Sequence, residues 1–232
     1  MKDNYDFKAI ISKEDFERII INEIYRNNLV SYVDKIEISD QSPFARYYFD
    51  RRKLSFNYNQ ILYYTNIKAN KYKFNTEEEK IKYINYSIIS IVLHEIIHVR
   101  QKKEENLLIT LSEQAELELK KYKLYGLNLY MTNPIERQAH VLSLSEIILY
   151  DCAEFTLMNK IFKGQLINIL KYGYSNLEYP IYVFFKGTSK FEIALDLASS
   201  VTQKIDEKLE YGCQLTSDEY KKVKELKIWK HI

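Results

Sequence analysis

The chain has 232 residues, a formal net charge of +2 and 46% hydrophobic residues, which is enough to bury a proper core. Lysine and arginine (34) nearly balance aspartate and glutamate (32), so no strongly basic face is implied and nucleic acid is not the expected partner. Five glycines and three prolines describe an ordered chain without flexible linkers, and two widely separated cysteines, Cys152 and Cys213, form neither a ligand pair nor a disulfide framework.

The first residues, Met1 to Asp6, have no apolar core of a secretory signal, and no apolar run is long enough to span a bilayer. The expectation is a cytoplasmic protein that meets no membrane. Lys13 to Leu29 carries Phe16, Ile19, Ile20, Glu23 and Ile24 at helical spacing, with Ser12 as N-cap and Asp15 three residues on. Val33, Ile36 and Ile38 then read as extended, followed by a turn at Ser39-Asp40-Gln41-Ser42-Pro43. Ala45 to Phe49, Lys53 to Tyr58 and Ile61 to Ile67 are rich in Tyr, Phe and Ile and are expected to complete a small antiparallel sheet of three or four strands. Such a sheet serves to close the core, or its edge lies along a cleft and pairs with an extended peptide.

Thr76-Glu77-Glu78-Glu79 is a capping box, so a long helix should begin near Glu77 and run to about Glu104. Inside it stands Leu93-His94-Glu95-Ile96-Ile97-His98-Val99-Arg100-Gln101. Positions i and i+4 share a helix face, so His94 and His98 can reach one ion, and zinc accepts imidazole nitrogen at about 2.0–2.1 Å. Glu95 is turned about 100° from His94 and suits the role of general base toward a zinc-activated water. Two satisfied core histidines and a paired glutamate would also fit the spacing. However, Ser87 to Val99 is otherwise almost entirely Ile, Val and Leu, where three ionisable groups are costly without partners or an ion. Ile81, Ile84, Ile88 and Ile91 continue the stripe that holds Glu95 and His98, which aims that face into the protein. Arg100 and Gln101 orient neighbouring groups or face solvent, and solvent is the simpler expectation.

Thr110 or Ser112 opens a further helix that Gly126 stops after Tyr125. Asn133-Pro134 starts another, expected to reach about Lys163 before Gly164, with Asn133 as N-cap and Pro134 in the first turn. A short helix from Gln165 to Lys171, an extended Tyr179 to Phe185, and helices over Phe191 to Tyr211 and Asp218 to Lys230, capped by Ser189 and Ser217, finish the chain. With no repeat or linker in view, one domain over 1–232 is expected. Its parts are 1–75 (helix and sheet), 76–163 (the helices bearing the metal motif) and 164–232 (a C-terminal helical part). The fold class is α+β and mainly helical.

A catalytic zinc needs three protein ligands and an open position. Of the two remaining histidines, His231 sits in the terminal segment, while His140 lies one turn after Glu136. Glu136 is a ligand candidate, and Asn133-x-x-Glu136 also has capping-box spacing. His140 is a candidate third ligand, a partner behind a ligand, or an oxyanion donor. His94-Glu95-x-x-His98 followed by a glutamate on a later helix resembles the gluzincin metallopeptidases. Asn133-Pro134-x-Glu136-x-x-Ala139 is similar to the element found in small bacterial and phage zincin-like domains. The resemblance covers the two motif helices, about a quarter of the chain. It implies a zincin-like fold, a zinc metallopeptidase activity on a peptide or protein substrate, His94, His98 and Glu136 as metal ligands, and Glu95 as general base. Thermolysin-like members carry an aspartate four residues after the ligand glutamate; here His140 stands there. Two other classes stay open: a regulatory or binding protein whose metal is closed in by His94, His98, Glu136 and His140, and a di-metal helical bundle. The bundle needs a second Glu-x-x-His, and Glu136 to His140 is one residue too long.

Overall fold

A computed structural model describes residues 8–103, 134–150 and 157–172. The chain divides into two compact units, Met1–Glu104 with Glu146–Phe162, and Glu105–Ser145 with Lys163–Ile232.

In the first unit, helix α1 (Lys13–Arg26) begins as the sequence predicts, with the Ser12 hydroxyl accepting from the Asp15 amide. It stops three residues earlier than Leu29. Asn28 adopts a left-handed φ of 53°, and the amides of Asn28 and Leu29 turn back to the carbonyls of Tyr25 and Ile24. That pair of bonds is a Schellman cap, with asparagine in the place usually held by glycine. Ile24 and Leu29 are both buried beneath it.

Three short strands follow: β1 (Lys35–Ile38), β2 (Ala45–Tyr48) and β3 (Lys53–Phe56). Their order is β1-β3-β2, with β1 parallel and β2 antiparallel to β3, so the sheet is mixed and the expected all-antiparallel pairing is corrected. A four-residue hairpin from Phe49 to Arg52 joins β2 to β3, closed by Arg52 at a positive φ of 47°. β3 then pairs with β1 on its other side, which propensity alone could not specify.

Ile61 to Ile67 is not a strand. It lies in helix α2 (Tyr58–Ala69), whose N-cap Asn57 accepts from the Gln60 amide at 3.0 Å. The Asn57 side chain also donates to the Asp40 carbonyl at 2.8 Å, so one amide anchors both the turn before β2 and the helix after β3. Only Ile61, Thr65 and Ala69 are buried in α2, a stripe at i, i+4, i+8 that a window dominated by β-branched and aromatic residues conceals.

Helix α3 (Glu77–Lys103) is the axis of this unit. Thr76 accepts from the Glu79 amide at 3.1 Å, as the capping box requires, and Glu79 reaches back to the Asn75 amide at 3.1 Å. From Tyr83 to Val99 the helix is buried on almost every face, which is why its apolar residues lack a clean amphipathic period. Phe16 of α1 packs edge-on against Phe56 of β3, with ring centroids 5.5 Å apart.

The expected single helix from Asn133 to Lys163 is instead represented by α4 (Pro134–Tyr150) and α5 (Leu157–Tyr172). Pro134 opens α4 at the position its fixed φ favours. Gly164 does not end a helix: α5 passes through it, and among the described residues nothing outside its own stretch of helix stands within 4 Å of where a side chain would begin. The separate helix from Gln165 to Lys171 therefore merges into α5. The first unit contains Glu146–Tyr150 of α4 and Leu157–Phe162 of α5; the second contains the rest of both. The helix expected to end at Tyr125, the N-cap Asn133, the extended Tyr179 to Phe185, the two closing helices, Cys152, Cys213 and His231 lie outside the described residues. Among the described residues no helix is long and apolar enough to cross a membrane.

Candidate metal centre

Helix α3 places His94, Glu95 and His98 in the interior, 7%, 6% and 5% exposed respectively. One helical turn separates the two histidines, and their rings meet edge to face at 88° with centroids 4.7 Å apart. The Nε2 atoms face each other at 3.1 Å. At that separation either one ring donates an Nε2–H to the other's lone pair, or both lone pairs face a common ion.

His98 is fixed on its other side. Its Nδ1 lies 2.8 Å from the Gln101 amide oxygen, a contact that is a hydrogen bond in the tautomer with the proton on Nδ1, and that tautomer leaves Nε2 its lone pair. Gln101 is 1% exposed, which corrects the expectation that it faces solvent. The i, i+3 spacing from His98 to Gln101 was the signal available in the sequence. Phe49, in the hairpin just beyond β2, sets its ring against His98 with centroids 6.0 Å apart, and Tyr47 packs on Phe49 at 5.1 Å. β2 is an edge strand of the sheet among the described residues, and its end is thereby brought beside the histidine pair.

In the second unit, Glu136 and His140 stand one turn apart on α4, both half-buried. Ala139 between them is fully buried, and the Ser143 hydroxyl donates to the His140 carbonyl at 3.2 Å. The residues with metal-ligating chemistry are thus His94 and His98 in the first unit, and Glu136 and His140 in the second. Comparisons with protein-family models, curated proteins and solved structures return no match for this chain.

Proposed function

We propose that this chain is a zinc-dependent metallopeptidase on a zincin-like scaffold. His94, His98 and Glu136 are its metal ligands, Glu95 its general base, and His140 the residue behind a ligand or a substitute for one. The observation that carries the reading is the buried His94–His98 pair with Nε2 atoms 3.1 Å apart. Two nitrogens each about 2.05 Å from a common ion and separated by that distance subtend roughly 100°, close to the tetrahedral angle zinc adopts. Imidazole and carboxylate are donor types that zinc accepts, and the chain carries them one helical turn apart in His94 and His98 on α3 and in Glu136 and His140 on α4.

Zinc held there would supply Lewis acidity, polarising the scissile carbonyl and lowering the pKa of a water toward ~7. Glu95 takes the proton that the attacking water gives up and passes it to the amine nitrogen as the carbon–nitrogen bond breaks. Its burial keeps bulk water from competing for that proton. The outer edge of β2, which pairs with no strand among the described residues and ends beside His98 at Phe49, suits an extended peptide that adds as a further strand, with backbone hydrogen bonds holding it in register.

Metal quantification on the purified protein tests the ligand set. One zinc per chain is expected, with strong loss of zinc in Glu136→Ala and a lesser loss in His140→Ala. Glu95→Gln should keep its zinc and lose hydrolysis of a quenched fluorescent peptide library by at least about 100-fold, the usual worth of a general base. Full activity in that variant ends the peptidase reading. A second reading has one specific observation in its favour: His140 stands one turn after Glu136 on the same helix, with ligand chemistry of its own. If all four side chains coordinate, the site is closed and structural, and His140→Ala then costs as much zinc as Glu136→Ala.

A further inference from the structure

We propose that Gln101 is the positioning residue of the metal centre: its amide oxygen holds His98 in the one tautomer that presents an Nε2 lone pair to an ion. The proposal rests on the metal reading above and adds the group that makes His98 a competent ligand. The contact is short, 2.8 Å from Nδ1 to Oε1, and it is buried. The alternative tautomer would put its proton on Nε2, in the 3.1 Å space facing His94, and would leave Nδ1 without a hydrogen to donate to Gln101.

The chemistry of the amide explains why glutamine suits this place. Ligand histidines are usually oriented by a carboxylate or a backbone carbonyl. A carboxylate at a position only 1% exposed would add a second buried negative charge to a helix that already buries Glu95, itself 6% exposed. A neutral amide gives the orientation without that charge. Helix geometry supplies the rest, since residue 101 lies three positions after residue 98 and a four-atom side chain spans the gap along one face.

The test uses the full chain and two variants. Gln101→Met keeps the volume and removes the acceptor; Gln101→Glu keeps an acceptor oxygen. Zinc affinity is measured by competition with a chromophoric chelator, and the His98 tautomer in the metal-free protein by nitrogen-15 NMR at one fixed pH. The wild type should show Nδ1 protonated. Gln101→Met should lose the single tautomer and bind zinc about 10–100-fold more weakly, the usual effect of removing such a partner. Gln101→Glu should restore both. A merely structural glutamine would lower the melting temperature of Gln101→Met and leave its zinc affinity and tautomer as in the wild type, which overturns the proposal. A wild type that binds no zinc defeats the metal reading. In that case the tautomer still decides the orientation by Gln101: an unprotonated Nδ1 overturns it, and a protonated Nδ1 lost in Gln101→Met upholds it.

Discussion

Asn85 shows how much one buried amide can decide. It sits on α3, 0% exposed, accepts from the Ile11 amide at 2.9 Å and donates to the Ala9 carbonyl at 2.8 Å. The segment leading into α1 is therefore tied to the helix that carries the histidine pair. Asn85→Leu preserves bulk but leaves the Ile11 amide and the Ala9 carbonyl without that partner, and a stranded buried polar group costs about 1–3 kcal/mol. Urea unfolding of this variant is expected to lose about 1–3 kcal/mol, because Ile11 is buried while Ala9 is exposed to water. In the sequence Asn85 interrupts an apolar run and looks like a flaw. Only the neighbours 74 and 76 positions away give it a purpose. Gln101 repeats the pattern: its type and its spacing from His98 were readable, and its burial was not.

At the scale of elements, the caps were the most legible features. Ser12, Thr76 and Glu79 act through bonds to amides three or four residues away, so a local window contains donor and acceptor together. Glu79 does more than its own helix requires. Its second oxygen accepts from the Leu157 amide at 2.9 Å, so one carboxylate caps the starts of both α3 and α5. Its charge also complements the positive end of each helix dipole. Glu79→Ala should lower stability by about 1–2 kcal/mol, and Glu79→Gln by less, since an amide oxygen still accepts. Thermal melts of the two variants check this ordering. The element that misled was α2. Ile61, Leu62, Tyr63, Tyr64, Thr65 and Ile67 favour strands by composition, yet the Asn57 cap and a one-sided burial stripe make the segment helical. The parallel pairing of β1 with β3 was likewise hidden, because register between strands 18 residues apart depends on where the chain returns.

For the folded molecule, buried tyrosines set an alkaline limit. Burial raises the phenol pKa of Tyr47, Tyr58 and Tyr64 above the ordinary value near 10, and raises that of Tyr83 furthest. Tyr83 is 1% exposed and enclosed by Phe74, Tyr72 and Phe162, with ring centroids 5.3, 5.6 and 5.5 Å away. A folded-state pKa above the unfolded one means the unfolded chain gives up its proton first. The stabilisation is therefore fully present below pH ~10 and is lost as pH rises beyond it, by up to about 1.4 kcal/mol per pH unit for each phenol held neutral. Tyr83→Phe should unfold less steeply between pH ~10 and ~12 than the wild type, since it has one fewer phenol to ionise. Absorbance at the tyrosinate band, followed alongside circular dichroism, checks whether the slow phenols ionise only on unfolding.

The sequence by itself determined the spacing of the candidate residues along α3 and the N-terminal caps of α1 and α3. His94, Glu95 and His98 are bound into one turn by the 3.6-residue period, and capping bonds span three or four residues. Both relations hold whatever the rest of the chain does. Tertiary structure alone decided that Gln101 turns inward, that α2 is a helix, that the sheet is mixed and that Phe49 lies against His98. Each of these depends on groups far apart in the chain excluding water from the same space, and no local pattern encodes which groups those will be.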